Sequence, residues 1–320
     1  MNAPLLEVKQ LTTWYPIRRG VLARTVGHVQ AVTDVSFTLG EGETLGLVGE
    51  SGCGKSTLGR TLVGLEEPRA GEIWLRGARL PGVHRTAEQR RTIQMVFQDP
   101  VAALNPRLTV QDLLTEGLIH HGLLQGTPAE AARALLADVG LDDSARHRYP
   151  HEFSGGQRQR INIARALSLR PSVLVCDEAV SALDVSVQAQ VLNLLMDLKD
   201  KYRLSYLFIS HDLSVVRFIS DRIAVMYLGR VVEEGSAGAI MEQPRHPYTE
   251  ALVSAVPVVG QPARARTVLT GELPSPARPP TGCPFHPRCP KVLPVCSTRW
   301  PEETRDGPRR MHCHLHGNGL

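Results

Sequence analysis

The stretch Gly49-Glu-Ser-Gly-Cys-Gly-Lys-Ser56 restricts the fold of this chain more than any other, because it fits G-x-x-x-x-G-K-[ST] in full. An apolar run, Thr44–Val48, precedes it, and a helical pattern from Ser56 to Leu65 follows. Strand, glycine-rich loop and helix in that order build an anion cradle. Gly49, Gly52 and Gly54 let the backbone turn its N–H groups inward around a polyphosphate. The helix beginning at Lys55 points the positive end of its dipole at the same anion. Lys55 adds a full charge near the β- and γ-phosphates, and Ser56 offers a hydroxyl to Mg²⁺. Glu50, Ser51, Cys53 and Thr57 complete the set of loop residues around the nucleotide. The Cys53 thiol reads as a small filler that makes the site sensitive to alkylation.

Three further apolar runs, Val173–Cys176, Tyr206–Ile209 and Ile223–Met226, are continuous rather than alternating. Such runs mark strands buried on both faces of a parallel sheet. Between them lie helical patterns; Val187, Val191, Leu194, Leu195 and Leu198 form one apolar stripe. The fold class is therefore α/β. Leu5–Leu11 and Val32–Leu39 read as additional strands near the N-terminus. Between Pro106 and Leu169 no strand pattern appears, so a helical subdomain, about residues 99–170, is inserted into a domain spanning 1–256. From Pro257 onward the chain carries 12 of its 23 prolines and four of its six cysteines, and reads as loops and turns. That shift sets the boundary of a second segment, 257–320.

Ser172-Val-Leu-Val-Cys-Asp-Glu178 is a buried strand ending in two acids. Asp177, at the carboxyl end of a parallel strand, reaches the Mg²⁺ shell. Glu178 points differently and can take a proton from an attacking water.

Phe153-Ser-Gly-Gly-Gln157 opens a helix that continues through Leu167, about 20 residues before the acidic strand. Here the chain resembles the ATP-binding cassette (ABC) ATPases, in which this pentapeptide is the signature motif. The resemblance implies a P-loop NTPase cassette: a RecA-like core, an antiparallel β subdomain and a helical subdomain, followed here by a Pro/Cys-rich C-terminal tail. Gln98 in Val96-Phe-Gln-Asp-Pro100 matches the Q-loop and is a further Mg²⁺ contact. Ser181-Ala-Leu-Asp184 matches the D-loop, and His211 the switch histidine. Tyr15 is the candidate for stacking on adenine, with Trp14 as competitor. Phe153 stands where Leu is commonest, a conservative apolar exchange. In such ATPases two cassettes close head to tail over two ATP molecules. Ser154, Gly155, Gly156 and Gln157 of one cassette would then face the γ-phosphate held by the other.

Phe97-Gln-Asp-Pro-Val-Ala-Ala-Leu-Asn-Pro106, the run Cys176–Gln190, Arg24–Val32 and His246-Pro-Tyr248 resemble the ATPases of oligopeptide and dipeptide importers, and most closely the second of the two ATPases those importers carry. The resemblance implies ATP hydrolysis that powers peptide import. Its partners would be two membrane-spanning permeases, an external peptide-binding protein and a second ABC ATPase, a paralogue by family habit. It places the chain peripherally on the cytoplasmic face of the inner membrane. Related importers carry nickel, glutathione or other small solutes, and these remain alternatives. A soluble ABC ATPase of nucleic-acid repair or translation is disfavoured by the single cassette and by the scarcity of aromatics, 5% of residues. Nucleic acid is thus not an expected partner.

Composition agrees with this reading. With 42% apolar and 21% charged residues the chain is an ordinary globular protein. It has no apolar run near the roughly 20 residues that cross a bilayer. No signal-peptide pattern opens it, so a reducing compartment is expected and the cysteines are thiols or metal ligands. Cys283, Cys289, Cys296 and Cys313 sit among prolines in a segment poor in apolar residues. Zinc prefers two C-x₂₋₄-C knuckles, which are absent, whereas an iron–sulfur cluster accepts varied spacings of four thiolates. Similar tails in peptide-importer ATPases are associated with a [4Fe–4S] cluster, which is the expected cofactor, with zinc as the alternative.

Overall fold

The computed structural model describes residues 3–21, 23–256 and 269–317. The chain forms two compact units, Met1–Leu39 with Thr44–Val83 and Ser210–Leu320, and Gly40–Glu43 with His84–Ile209.

The first unit holds an antiparallel sheet in the order Arg24–Leu39, Leu6–Arg19, Ala70–Leu75, Ala78–Leu80. Its first two strands are much longer than the apolar runs Leu5–Leu11 and Val32–Leu39 suggest. They continue as a ribbon whose outer part alternates partly covered and exposed positions, ending at the turn near Gly20. The same unit pairs Thr44–Val48 in parallel with Arg222–Tyr227, Leu45 opposite Arg222 and Val48 opposite Val225. All five residues of Thr44–Val48 are buried, which explains the absence of polar alternation. Arg222–Tyr227 pairs antiparallel with Arg230–Ser236.

The C-terminal segment departs from the expectation of loops and turns. It contains a hairpin, Glu303–Asp306 with Arg309–His312, and the second strand pairs with Arg230–Ser236, Glu233 opposite Met311. Met311 and Phe285 are buried, so this segment shares the core of the unit. The expected boundary at Pro257 lies outside the described residues.

The second unit has a parallel sheet with Val173–Asp177 between Ile93–Val96 and Ser205–Ser210. Its remaining chain is helical, with Val110–His120, Pro128–Asp138 and Gly155–Ser168 packed together and Val185–Tyr202 after the central strand. Among the described residues no strand lies between 106 and 169, as expected. The helix starts are written locally. Thr109, Thr127 and Ser154 each accept from the N–H three residues on, and that residue's side chain returns the bond in a capping box.

Candidate nucleotide site

The phosphate loop belongs to the first unit and leads into helix Lys55–Val63. Gly54 has φ +104°, and a Cβ there would stand 1.9 Å from the Ala31 carbonyl oxygen, so only glycine fits. Lys55 is 4% exposed. Its ammonium donates to the carbonyl oxygens of Gly49, at 2.7 Å, and Glu50, at 3.0 Å. The cation is thus held by its own loop. Cys53 is buried, and burial raises its thiol above the usual range. A covered thiol with its pKa raised is a weaker nucleophile than a free one.

Strand Leu6–Arg19 is pinned beside this helix by the hydroxyls of Thr13 and Thr61, 3.0 Å apart. Two residues on, the half-buried Tyr15 lies beside Thr57 and Glu66, and burial raises its hydroxyl above the usual range. Trp14 is engaged elsewhere. Its indole N–H donates to Thr33 at 3.0 Å, and the Arg69 guanidinium lies 4.6 Å from its ring centroid. Of the two aromatics, Tyr15 is the one that borders the phosphate-loop helix. His211 follows strand Ser205–Ser210 directly and is exposed.

The second unit carries the other motifs. Strand Val173–Asp177 is buried throughout and delivers Asp177, 3% exposed, at its carboxyl end. Glu178 follows with φ +46°, a conformation uncommon for a residue with a side chain. Its N–H donates to the Ile209 carbonyl at 2.9 Å, and its own carbonyl accepts from the Ser181 hydroxyl at 3.0 Å. The Glu178 carboxylate accepts from the Gln98 amide. Gln98, Glu178 and the first D-loop residue therefore stand together.

Ser154 caps helix Gly155–Ser168 and leaves itself, Gly155 and Gln157 exposed, a helix N-terminus open to an anion. Gly156 is buried, and a Cβ there would lie 2.4 Å from Val187 Cγ1. Phe153 is buried under the Arg148 guanidinium, 4.3 Å from its ring centroid, so the aromatic residue serves as an anchor for the signature turn. Asn162 in the same helix donates to the Phe97 carbonyl at 3.3 Å, linking the signature helix to the residue before Gln98. Asp184 caps Val185–Tyr202, and bonds from Val187 N–H and Ser186 hold its carboxyl below the ordinary range.

Cys283, Cys289, Cys296 and Cys313 line one small cavity, together with His246, His286 and His314. Among the described residues no group of three or more His, Cys, Asp or Glu side chains is arranged to hold a metal ion. Burial, reinforced by the neighbouring thiols, pushes Cys283 up to about 12 and Cys313 up to about 11.

His246-Pro-Tyr248 is more than a proline turn. His246 is buried, caps helix Pro247–Ser254 through Nδ1, and donates its N–H to the Glu233 carboxylate at 2.9 Å. The Tyr248 hydroxyl accepts from the Glu50 N–H at 2.8 Å. Arg288 grips the Glu50 side chain. Both residues are functional-site neighbours that no local sequence signal reveals, since 198 and 238 positions separate them from Glu50.

Comparison with known proteins agrees with these features. Residues 32–181 match the ABC transporter family, and residues 232–296 match the oligopeptide/dipeptide transporter C-terminal region. The chain is 51% identical to an oligopeptide transport ATP-binding protein, AppF, of Bacillus subtilis, over 98% of this chain and 97% of that one. It is also 51% identical to a dipeptide transport ATP-binding protein, DppF, of Haemophilus influenzae, over 96% and 95%. Among solved structures, a dimeric ATP-binding cassette in a post-hydrolysis state with ADP and Pi matches with a TM-score of 0.62 and 27% identity, over 72% of this chain and 98% of that one. By these likenesses the chain belongs to the ATP-binding proteins of oligopeptide and dipeptide ABC transporters.

Proposed function

We propose that this chain is the ATP-hydrolysing subunit that powers import of di- and oligopeptides through an inner-membrane transporter. Full-length likeness to peptide-transport ATP-binding proteins, at about half of all positions, carries this reading. Among the described residues no helix is long and apolar enough to cross a membrane, so coupling to a peptide pathway falls to membrane-spanning permeases that this chain would grip from the cytoplasmic face. An external binding protein would deliver the peptide. A second ATPase, a copy or a paralogue, would complete the pair; the dimeric state of the related cassette supports this.

Each motif then has a task. Loop N–H groups and Lys55 hold the β- and γ-phosphates, and Tyr15 stacks on adenine. Ser56, Gln98 and Asp177 offer hydroxyl, amide and carboxylate oxygens, the hard donors that suit Mg²⁺. That ion, when bound, neutralises charge on the transferring phosphoryl group. Glu178 takes the proton of the attacking water, and His211 steadies the γ-phosphate. Ser154, Gly155 and Gly156 of the partner bring a helix N-terminus to the same phosphate.

The four C-terminal thiols are the candidate ligands of a four-thiolate cluster, although their side chains are not arranged around a metal in this structure. They line one small cavity, and three of the four are buried. Cys283, Cys289, Cys296 and Cys313 would hold a [4Fe–4S] cluster, with zinc as the alternative ion, to order a segment short of apolar side chains. Uptake of labelled dipeptides by proteoliposomes carrying the permeases, binding protein and ATPases tests the transport reading. Uptake that requires ATP and is lost with Glu178→Gln is expected; ATP hydrolysis indifferent to peptide-loaded binding protein would overturn it.

A further inference from the structure

Glu50, the second residue of the phosphate loop, is held by the C-terminal segment at both its main chain and its side chain. Its N–H donates to the Tyr248 hydroxyl, 2.8 Å. Its carboxylate receives two parallel bonds from Arg288, Nη1 to Oε2 at 2.6 Å and Nη2 to Oε1 at 3.0 Å. The Arg288 side chain is 7% exposed and that of Glu50 28%, so the pair is largely withdrawn from water. Bidentate guanidinium–carboxylate pairs fix geometry as well as charge.

The arm behind Arg288 is equally fixed. Arg288 ends the 3-10 turn His286–Arg288, which lies between Cys283 and Cys289 in the chain. Phe285, at the head of that turn, is fully buried against Tyr227 and Tyr248, with ring centroids 5.1 and 5.4 Å away. The turn is thus clamped between the thiol cavity and the aromatic cluster that also supplies Tyr248.

The chemistry of the loop gives this contact a purpose. The Glu50 carbonyl helps to hold Lys55, and its carboxylate is a negative charge within the loop that must accept a polyphosphate. Left alone, that charge opposes the ligand. We propose that Arg288 is a positioning residue for ATP: through Glu50 it neutralises and braces the phosphate loop, so that the four-cysteine segment sets the affinity for nucleotide. This goes beyond the transport reading, and it holds whichever ion the thiols take up, because it needs only that the turn be held.

The test uses the full chain and compares KM for ATP with kcat, with ATP binding measured alongside. Arg288→Met should raise KM about tenfold and change kcat by less than about twofold, since an uncompensated carboxylate remains beside the anion. Glu50→Gln alone should lower KM about twofold, because Arg288 then faces the phosphates without its counter-ion. The double variant should recover most of the affinity that Arg288→Met loses. Arg288→Lys, which keeps the charge but not the fork, should fall between parent and Arg288→Met, and it supplies the comparison if the methionine variant fails to fold. Unchanged KM in Arg288→Met or Arg288→Lys, or a double variant as weak as its arginine parent, would overturn the proposal. A merely structural loss would not be reversed by Glu50→Gln.

Discussion

Gln98 donates its side-chain amide to the Glu178 carboxylate, Nε2 to Oε2 at 2.9 Å. A neutral donor at this distance fixes the orientation of the carboxylate. The backbone of Glu178 sits in the left-handed region, a strained conformation that the strand end and the Ile209 and Ser181 contacts maintain. Glu178→Gln should lower kcat by about 10³-fold, the scale of a lost general base, while ATP still binds. Gln98→Ala should cost about tenfold in kcat by releasing the carboxylate. Steady-state hydrolysis with a nucleotide-binding control checks both, and undiminished turnover in Glu178→Gln contradicts the role given to that carboxylate.

Lys55 is the buried cation of the phosphate loop, held only 2.7 Å from the Gly49 carbonyl. Lys55→Ala should weaken ATP binding by at least about 100-fold, because a charge-assisted phosphate contact is lost in a covered site. Equilibrium binding of ATP measures this directly; retained affinity means that the loop does not hold the phosphates.

The signature helix makes a prediction about packing. A Cβ at Gly156 meets Val187 at 2.4 Å, whereas one at Gly155 meets only Leu183 at 3.8 Å. Gly156→Ala should therefore destabilise the fold by about 1–3 kcal/mol through overpacking, and Val187→Ala in the same chain should relieve part of that cost. Gly155→Ala should leave the melting temperature nearly unchanged. Thermal unfolding of the four proteins decides the matter, and equal melting temperatures for the two single glycine variants would contradict the packing described.

Acid should loosen the C-terminal part of the first unit. Burial, with His312 and His316 nearby, pushes the His246 imidazole from 6.5 down to about 3. The unfolded chain takes up a proton at this position below its ordinary value while the folded chain does not, so stability falls as pH drops from about 6.5 toward 3. The contribution is complete above that window. His246→Asn keeps an acceptor for the Tyr248 N–H and removes the titration. Its melting temperature should decline less steeply between about pH 7 and 5 than that of the parent. Parallel declines would show that another group sets the slope; His312, also lowered chiefly by burial, would act in the same direction.

The cluster proposed for the C-terminal thiols predicts a colour and a stoichiometry. Chains purified without oxygen should be brown and carry about four iron and four sulfide each. Because each thiol must lose its proton to bind a metal, loading should release protons and weaken as pH falls. Stoichiometric zinc without iron would replace the cluster with the simpler ion.

What could be read from the sequence was the chemistry that is local in the chain. The phosphate loop needs glycine at Gly54 because the Ala31 carbonyl leaves no room, and the strand before it needs unbroken apolar residues because both faces are covered. Ser154 and Gln157 announce a helix start because their reciprocal bonds span three residues. What escaped depends on distant partners. The long N-terminal ribbon dilutes its apolar residues with polar ones on its open side. Phe285 and Met311 count as core only because Tyr227, Tyr248 and Arg230–Ser236 come to meet them. No window of sequence shows that Arg288 and Glu50 touch across 238 positions.

The most direct test concerns the pairing of two cassettes over ATP. The Glu178→Gln chain, alone or with the second ATPase of its transporter, should double in mass when ATP and Mg²⁺ are added. Gly155→Asp in that background should abolish the doubling while each chain still binds ATP, because a carboxylate at the exposed helix start repels the partner's γ-phosphate. A mass that ignores ATP, or a doubling that survives Gly155→Asp, would contradict the shared site and the transport cycle built on it.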